Sequence, residues 1–257
     1  MEVNRVLNAR QQEILDYINV NGSANIRDFI GMYDVSEATI RRDFDELAKI
    51  GHIDRVHGGA VRVKSTASVH FHSEKKSLML SEKKRIAAYA ASLVNNGESL
   101  FLDSGTTATF IAMELVNHKD LVIITNNLDI VRSVQFDPSV SLIVTGGVRN
   151  DQYSALVGNI AEQMISSFHV DKAFMGCDAV DSDNGVYNAN YPAVGVKQCI
   201  TRCGKKIILV ADSSKFYVKA LAKVCDLEAI DMIVTDKALD EKTHQAIRKR
   251  VPNTVCV

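Results

Sequence analysis

Apolar positions recur at helical spacing three times before residue 50 of this chain, and they form short continuous runs six times after residue 98. In the first part Ile14, Leu15 and Ile18 mark one face of a helix over residues 8–21, which Asn21-Gly22 ends. Ile26, Phe29 and Ile30 mark a shorter helix over about residues 25–32. Ile40, Phe44 and Leu47 mark a third, which Ser36 can cap and Gly51 ends. The second and third are joined by Tyr33-Asp34-Val35, a connection short enough for a helix-turn-helix. Two extended runs follow, 52–56 and 60–63, and His57-Gly58-Gly59 between them supplies the positive-φ positions that a hairpin turn requires. Residues 1–63 are therefore expected to form a winged helix-turn-helix.

The polar side of the third helix carries the first candidate chemistry. Ala38, Thr39, Arg41 and Arg42 project away from the apolar stripe near the helix start, whereas Asp45 and Glu46 lie a turn further on. A helix of this kind can meet a polyanion only with its first half, as recognition helices do in the DNA major groove. One arginine is expected to make a bidentate base contact and the other a phosphate contact. Arg55, His57, Arg62 and Lys64 would carry the wing along the backbone or into the minor groove. Overall charge does not point to this surface: the chain carries −1, and residues 1–64 hold nine Lys and Arg against ten Asp and Glu. Binding must come from a local patch, because exposed charges are screened beyond ~10 Å at ordinary salt.

Residues 64–80 are polar and Ser-rich without a sustained period, the composition of a tether, and His70 and His72 within them have no partner ligands nearby. A new helix opens at Ser81 with Ile86, Ala90 and Leu93 on its stripe. Beyond it come apolar runs at 99–102, 121–124, 141–144, 172–175, 206–210 and 232–234, separated by helical segments. Strands buried on both faces and alternating with helices predict a largely parallel α/β sheet, so that 81–257 is a second domain.

The C-terminal ends of these runs share a chemistry. They deliver Asp103-Ser104-Gly105-Thr106-Thr107, Thr125-Asn126-Asn127, Thr145-Gly146-Gly147, Gly176-Cys177-Asp178, Asp212-Ser213-Ser214-Lys215 and Thr235-Asp236. Open α/β sheets bind ligands at this edge. The first loop runs into a helical segment, and backbone N–H groups at a helix start beside three hydroxyls suit a phosphate, although the lysine and glycine spacing of a P-loop is missing. Asp103 is then expected to orient the hydroxyls of a polyol and Lys215 to neutralise the anion.

Five cysteines, an odd number without regular spacing, fit a reducing cytosol better than a disulfide framework. Cys199 and Cys203 are four apart on a probable helix, but no further ligands complete a metal site, and no cofactor is expected. No apolar run reaches the length of a membrane span.

Two stretches carry a family resemblance. Ser36-Glu37-Ala38-Thr39-Ile40-Arg41-Arg42-Asp43 together with Arg55-Val56-His57-Gly58-Gly59-Ala60 resembles the signature of the DeoR family of bacterial transcriptional regulators. Asp103–Thr107, Thr145–Gly147 and Asp212-Ser213-Ser214-Lys215-Phe216 resemble that family's effector domain, which is similar in fold to ribose-5-phosphate isomerase and binds phosphorylated sugars. The resemblance implies operator binding to double-stranded DNA, usually repression, controlled by a sugar phosphate. It also places Asp178 and Lys197 among the polar pocket residues. Two departures stand out: Ile30 replaces a usual small Ala, and Ala193 replaces a Glu that many relatives carry. Residues 192–196 read Pro-Ala-Val-Gly-Val, without a titratable group, so the domain is expected to hold its ligand and not to catalyse. The alternatives are a sugar-phosphate isomerase-like enzyme with an appended DNA-binding module and a regulator that senses another small anion. A single short head reads few base pairs, so a homo-oligomer is expected to pair heads on repeated half-sites.

Overall fold

The structure, a computed structural model, describes residues 7–21, 23–30, 32–33, 35–49, 53–56, 58–62, 78–151 and 153–257. Residues 64–77 of the expected tether, with Lys64, His70 and His72, lie outside them, as do His52, His57 and the side chain of Arg62. The chain divides into two compact units, Met1–Lys64 and Ser65–Val257.

The first unit contains α1 (Ala9–Asn21), β1 (Ser23–Asn25), α2 (Ile26–Ile30), α3 (Glu37–Lys49), β2 (Ile53–Val56) and β3 (Gly59–Arg62). Its core is the expected one: Ile14, Ile18, Ile26, Phe29, Ile40, Phe44 and Leu47 are buried together. Phe29 makes edge contacts with Tyr17 and Phe44, at centroid distances of 5.1 and 5.8 Å. Two features differ from the sequence reading. Ile30 is exposed, because α2 ends on it and only Ile26 and Phe29 of that helix face inward. The wing sheet has three strands in the order β1-β3-β2, since Ser23–Asn25 pairs antiparallel with β3. A Cβ on Gly59 would stand 2.2 Å from the Ala24 carbonyl, so the third strand can approach only a glycine there.

The second unit begins with α4 (Leu80–Ser92) and continues through β4 (Ser99–Leu102), α5 (Thr106–Glu114), β5 (Val122–Thr125), α6 (Leu128–Ser133) and β6 (Ser141–Val144). A hairpin of β7 (Val148–Asn150) and β8 (Ala155–Val157) leads to α7 (Asn159–Ser166) and β9 (Val170–Met175). Next come β10 (Ala179–Asp181), β11 (Gly185–Asn188), α8 (Val194–Cys203), β12 (Gly204–Val210), β13 (Ala222–Cys225), β14 (Met232–Thr235), α9 (Glu241–Arg248) and β15 (Thr254–Cys256). Seven strands form one sheet in the order β15-β14-β12-β9-β4-β5-β6, and every neighbouring pair is parallel. Six are the strands expected from the apolar runs.

Alternation along the strands makes two cores. Phe101, Ala173, Met175, Leu209 and Ile233 face α7, α8 and α9, whereas Leu100, Leu102, Phe174, Ile208 and Val234 face α4, α5 and α6. Helices thus cover both faces, which is what a parallel sheet requires. The chain leaves β4 toward β5 and β6 on one side, then returns through β9 to build outward on the other. The strand order therefore reverses between β4 and β9, and a crevice opens at the carboxyl ends of such neighbours.

Candidate functional site

In the first unit α3 presents the expected surface. The Ser36 backbone carbonyl accepts from Thr39 N at 2.9 Å and its hydroxyl from the same N–H at 3.3 Å, so Ser36 is the cap. Ala38, Arg41 and Arg42 are exposed and Thr39 is half-buried. Arg41 lies back on Glu37 through two bonds of 2.6 and 2.9 Å to one carboxylate oxygen, an exposed pair one turn apart. Arg42 has no hydrogen bond or ion pair among the described residues, which leaves its five donors for a partner outside the chain.

Arg55 also makes contacts within the unit. Its guanidinium forms an ion pair with Asp45 Oδ1 at 2.9 Å, donates to the Gly59 carbonyl at 2.9 Å, and lies 5.5 Å from the centre of the Phe44 ring. It ties the wing strands to the reading helix. A second tie was not anticipated. Asp43 is 4 % exposed and accepts from Arg10 Nε at 2.6 Å and Gln11 Nε2 at 3.2 Å, while Gln11 Nε2 also donates to Glu46 at 2.8 Å. On the wheel Asp43 stands within the Ile40, Phe44, Leu47 stripe, and a charge in that position is the signal that could have found it.

In the second unit the carboxyl ends of β4, β9 and β12 enclose a cavity. Of the expected residues, Ser104, Gly105, Thr106, Thr107, Asp178, Lys197 and Lys215 line it. Gly105 precedes α5 with φ 128°, a backbone that a side chain would strain, and nothing stands within 4 Å of where its Cβ would be. Thr106, Thr107 and Ala108, whose N–H groups begin α5, line this space.

Asp103 is not on the wall. It is fully buried beneath it, where Oδ1 accepts from Ser104 N at 2.7 Å, Oδ2 accepts from Gly176 N at 3.0 Å, and Lys197 Nζ closes a salt bridge. Lys197 also donates to the Gly176 carbonyl at 2.8 Å. The expectation that Asp103 orients a polyol is corrected accordingly: its oxygens are occupied in holding two strand ends and α8 together. Asn126, Gly146 and Gly147 likewise do not line the cavity. Asn126 Nδ2 donates to the Leu156 carbonyl at 3.1 Å, Gly146 packs on Ile160 of α7, and a Cβ on Gly147 would meet the Val157 carbonyl at 2.7 Å.

Lys83 and Tyr153 also line the cavity and escaped the sequence reading, whereas Asp212 and Cys177, which line it too, stood in the strand-end runs without a role of their own. Lys83 is 4 % exposed and donates to the Leu78 carbonyl at 2.6 Å; it continues the Ile86, Ala90 stripe one turn back. Asp212 is buried and takes a hydrogen bond from Ser214 Oγ. Cys177 also faces the cavity, and burial pushes its thiol up to about 12, so it remains protonated at neutral pH. Tyr153 comes from the β7–β8 turn, and burial pushes its phenol upward, with the nearby Asp178 carboxylate adding to the shift. Asp178 itself accepts from Ala189 N at 2.9 Å.

A winged helix-turn-helix unit followed by a parallel α/β unit with a strand-edge cavity defines a ligand-controlled DNA-binding regulator. Comparison with known proteins gives the family: residues 10–66 match the DeoR-like helix-turn-helix domain and residues 79–237 match the DeoR C terminal sensor domain. The chain belongs to the DeoR family of transcriptional regulators. It is 32 % identical to the glycerol-3-phosphate regulon repressor of Escherichia coli (strain K12), over 88 % of this chain and 90 % of that one. It is 30 % identical to the HTH-type transcriptional regulator IolR of Bacillus subtilis (strain 168), over 92 % of this chain and 94 % of the relative. Among solved structures it is similar to ribose 5-phosphate isomerase A of Methanocaldococcus jannaschii, with 18 % identity and a TM-score of 0.39 over 54 % of this chain and 55 % of that one. It is also similar to the translation initiation factor eIF-2B of Pyrococcus horikoshii OT3, with 13 % identity and a TM-score of 0.48 over 88 % and 95 %. No helix among the described residues is long and apolar enough to cross a membrane.

Three expected outcomes follow from the geometry. Arg42→Ala should weaken binding to a duplex selected from a random pool, either relaxing one base position by about 1–3 kcal/mol or lowering the salt slope by about one unit. Arg55→Ala should weaken binding with no change in salt slope, because its charge is spent on Asp45; an equal drop in slope for both variants would put Arg55 on the DNA backbone. Lys197→Ala should cost the second unit about 3–5 kcal/mol by stranding the Asp103 carboxylate, and the double variant Asp103→Asn/Lys197→Met distinctly less. Urea unfolding checks this, and equal losses in the single and double variants would contradict it.

Proposed function

We propose that this regulator is a cytoplasmic repressor released from its operator by a phosphorylated sugar or polyol held in the strand-edge cavity. The observation that carries the reading is the junction of β4 and α5. There Gly105, Thr106, Thr107 and Ala108 surround the open amide end of a helix, with Lys83 and Lys215 on the same cavity wall. Aligned peptide dipoles give such a helix start about half a positive charge, and two lysines add to it, so a phosphate is the anion that fits. Asp178 and Asp212 line the same space and are acceptors for hydroxyl donors, which a bare anion lacks. The named relatives include a glycerol-3-phosphate regulon repressor, in keeping with this ligand class.

Binding here serves as a signal. Isomerising an aldose phosphate needs a base against a carbon-bound proton. Asp103 is committed to Lys197, Cys177 stays a neutral thiol, residues 192–196 carry no titratable group, and the two carboxylates that line the cavity already accept from the protein, Asp178 from Ala189 N and Asp212 from Ser214 Oγ. A ligand can shift the head only by binding one of its arrangements more tightly than the other. Pairing of heads on repeated half-sites by a homo-oligomer would supply the length of sequence that one α3 cannot read.

The test is a titration of the protein on a selected operator duplex with a panel of glycerol, pentose and hexose phosphates. One of them should release the DNA, and at 100 times its dissociation constant it should add about 2.7 kcal/mol to stability in a thermal-shift assay. Lys215→Ala should still bind operator but require at least about tenfold more effector, equivalent to about 1.4 kcal/mol. Turnover of any panel member, or a response in Lys215→Ala equal to wild type, would contradict the reading.

A further inference from the structure

The β7–β8 hairpin stands outside the seven-stranded sheet, yet its second strand is fastened to the end of β5 and the start of α6. Leu156 N donates to the Asn126 carbonyl at 2.9 Å, Leu128 N donates to the Ser154 carbonyl at 2.8 Å, and Ser154 Oγ donates to Asp129 Oδ1 at 2.7 Å. Ser154 has φ 50°, a left-handed backbone that costs a residue with a Cβ roughly 1–3 kcal/mol and persists only where surrounding bonds impose it. Here the imposing bonds are those to Leu128 and Asp129. The turn they hold sends the preceding residue, Tyr153, to the effector cavity, which it lines while only 8 % exposed.

The same fastening reaches the phosphate end of the cavity. Asn127 caps α6, its side-chain oxygen accepting from Asp129 N at 2.9 Å, and its Nδ2 donates to the Gly105 carbonyl at 3.2 Å and to Thr109 Oγ1 at 3.1 Å. One asparagine therefore sets both the loop that begins α5 and the helix that holds Ser154. The relative placement of Tyr153 and the α5 amides is built in.

We propose that Tyr153 is the specificity-determining contact of this cavity, its ring lying against the carbon chain of the ligand whose phosphate sits at α5, with Ser154 as its positioning residue. The proposal rests on the sugar-phosphate reading above and adds what distinguishes a phosphorylated polyol from phosphate alone. An aromatic ring offers a large apolar surface at little cost in side-chain freedom, and a phenol that stays protonated can also donate to a hydroxyl. Inorganic phosphate would use the α5 amides and lysines and gain nothing from Tyr153.

The experiment compares dissociation constants of the full chain for inorganic phosphate and for the best ligand of the glycerol, pentose and hexose phosphate panel, and reads their ratio. Tyr153→Ala should reduce the preference for the sugar phosphate over phosphate at least about tenfold. Tyr153→Phe, which keeps the ring, should stay within about threefold of wild type. Ser154→Ala, which removes the bond to Asp129 without touching the ligand, should lower the ratio in the same direction as Tyr153→Ala. A general loss of folding would weaken both ligands together, and a ratio unchanged in Tyr153→Ala, as a ring that never meets the ligand would give, overturns the proposal. If wild type binds no sugar phosphate at all, the proposal and the reading beneath it fall together; if wild type binds one and only the ratio fails to move, the proposal alone falls.

Discussion

The second unit depends on one buried ion pair. Asp103 follows β4, Gly176 follows β9 and Lys197 lies in α8, three segments remote in sequence, and the Asp103 carboxylate with the Lys197 ammonium joins them at the point where the strand order reverses. Removing two charges from water costs several kcal/mol each, and the attraction between them offsets this only when further hydrogen bonds complete both groups. Here they do: the carboxylate also accepts from the Ser104 and Gly176 amides, and the ammonium also donates to the Gly176 carbonyl. An apolar cluster could glue the same segments, but it would not hold the Ser104–Gly105 backbone at a set angle to the start of α5. The pair does, and the open amides of that helix become a site as a result.

The first unit uses the same device on a smaller scale. Asp43 joins α3 to Arg10 and Gln11 of α1, and Arg55 joins α3 to the wing. The Asp43 tie grips the buried side of the reading helix and the Arg55 tie holds an exposed carboxylate one turn beyond Arg41, so arginines 41 and 42 project from a helix held at two points. Rigid placement matters because a bidentate base contact tolerates little angular error.

Much of this was legible in the sequence, for identifiable reasons. The stripes of α1 and α3 and six of the seven sheet strands announce themselves because their burial is periodic or continuous. β15 was missed because Thr254–Cys256 is too short to form a run, and β1 because Ser23–Asn25 has no apolar pattern and exists only through its pairing with β3. The strand-end loops pointed to the right edge of the sheet, but not to which side chains face the ligand. Asp103 and Asn126 are both polar strand ends, yet one is pinned under the wall and the other ties down a hairpin, distinctions that depend on contacts across more than twenty residues. Asp43 and Lys83 show what could have been read. Each is a charge on an otherwise apolar stripe, and burial of such a charge is tolerated only where a partner or a ligand meets it.

The account stands on the claim that the opening turn of α5 is where the ligand's anion rests. Amide resonances of the isotopically labelled full chain, followed while the most potent sugar phosphate is added, test it directly. The largest changes should fall on the N–H groups of Thr106, Thr107 and Ala108, shifted in the direction of stronger hydrogen bonding, and inorganic phosphate should move the same three. Ligand-induced changes centred on any other helix start, with these three amides unmoved, would contradict the account.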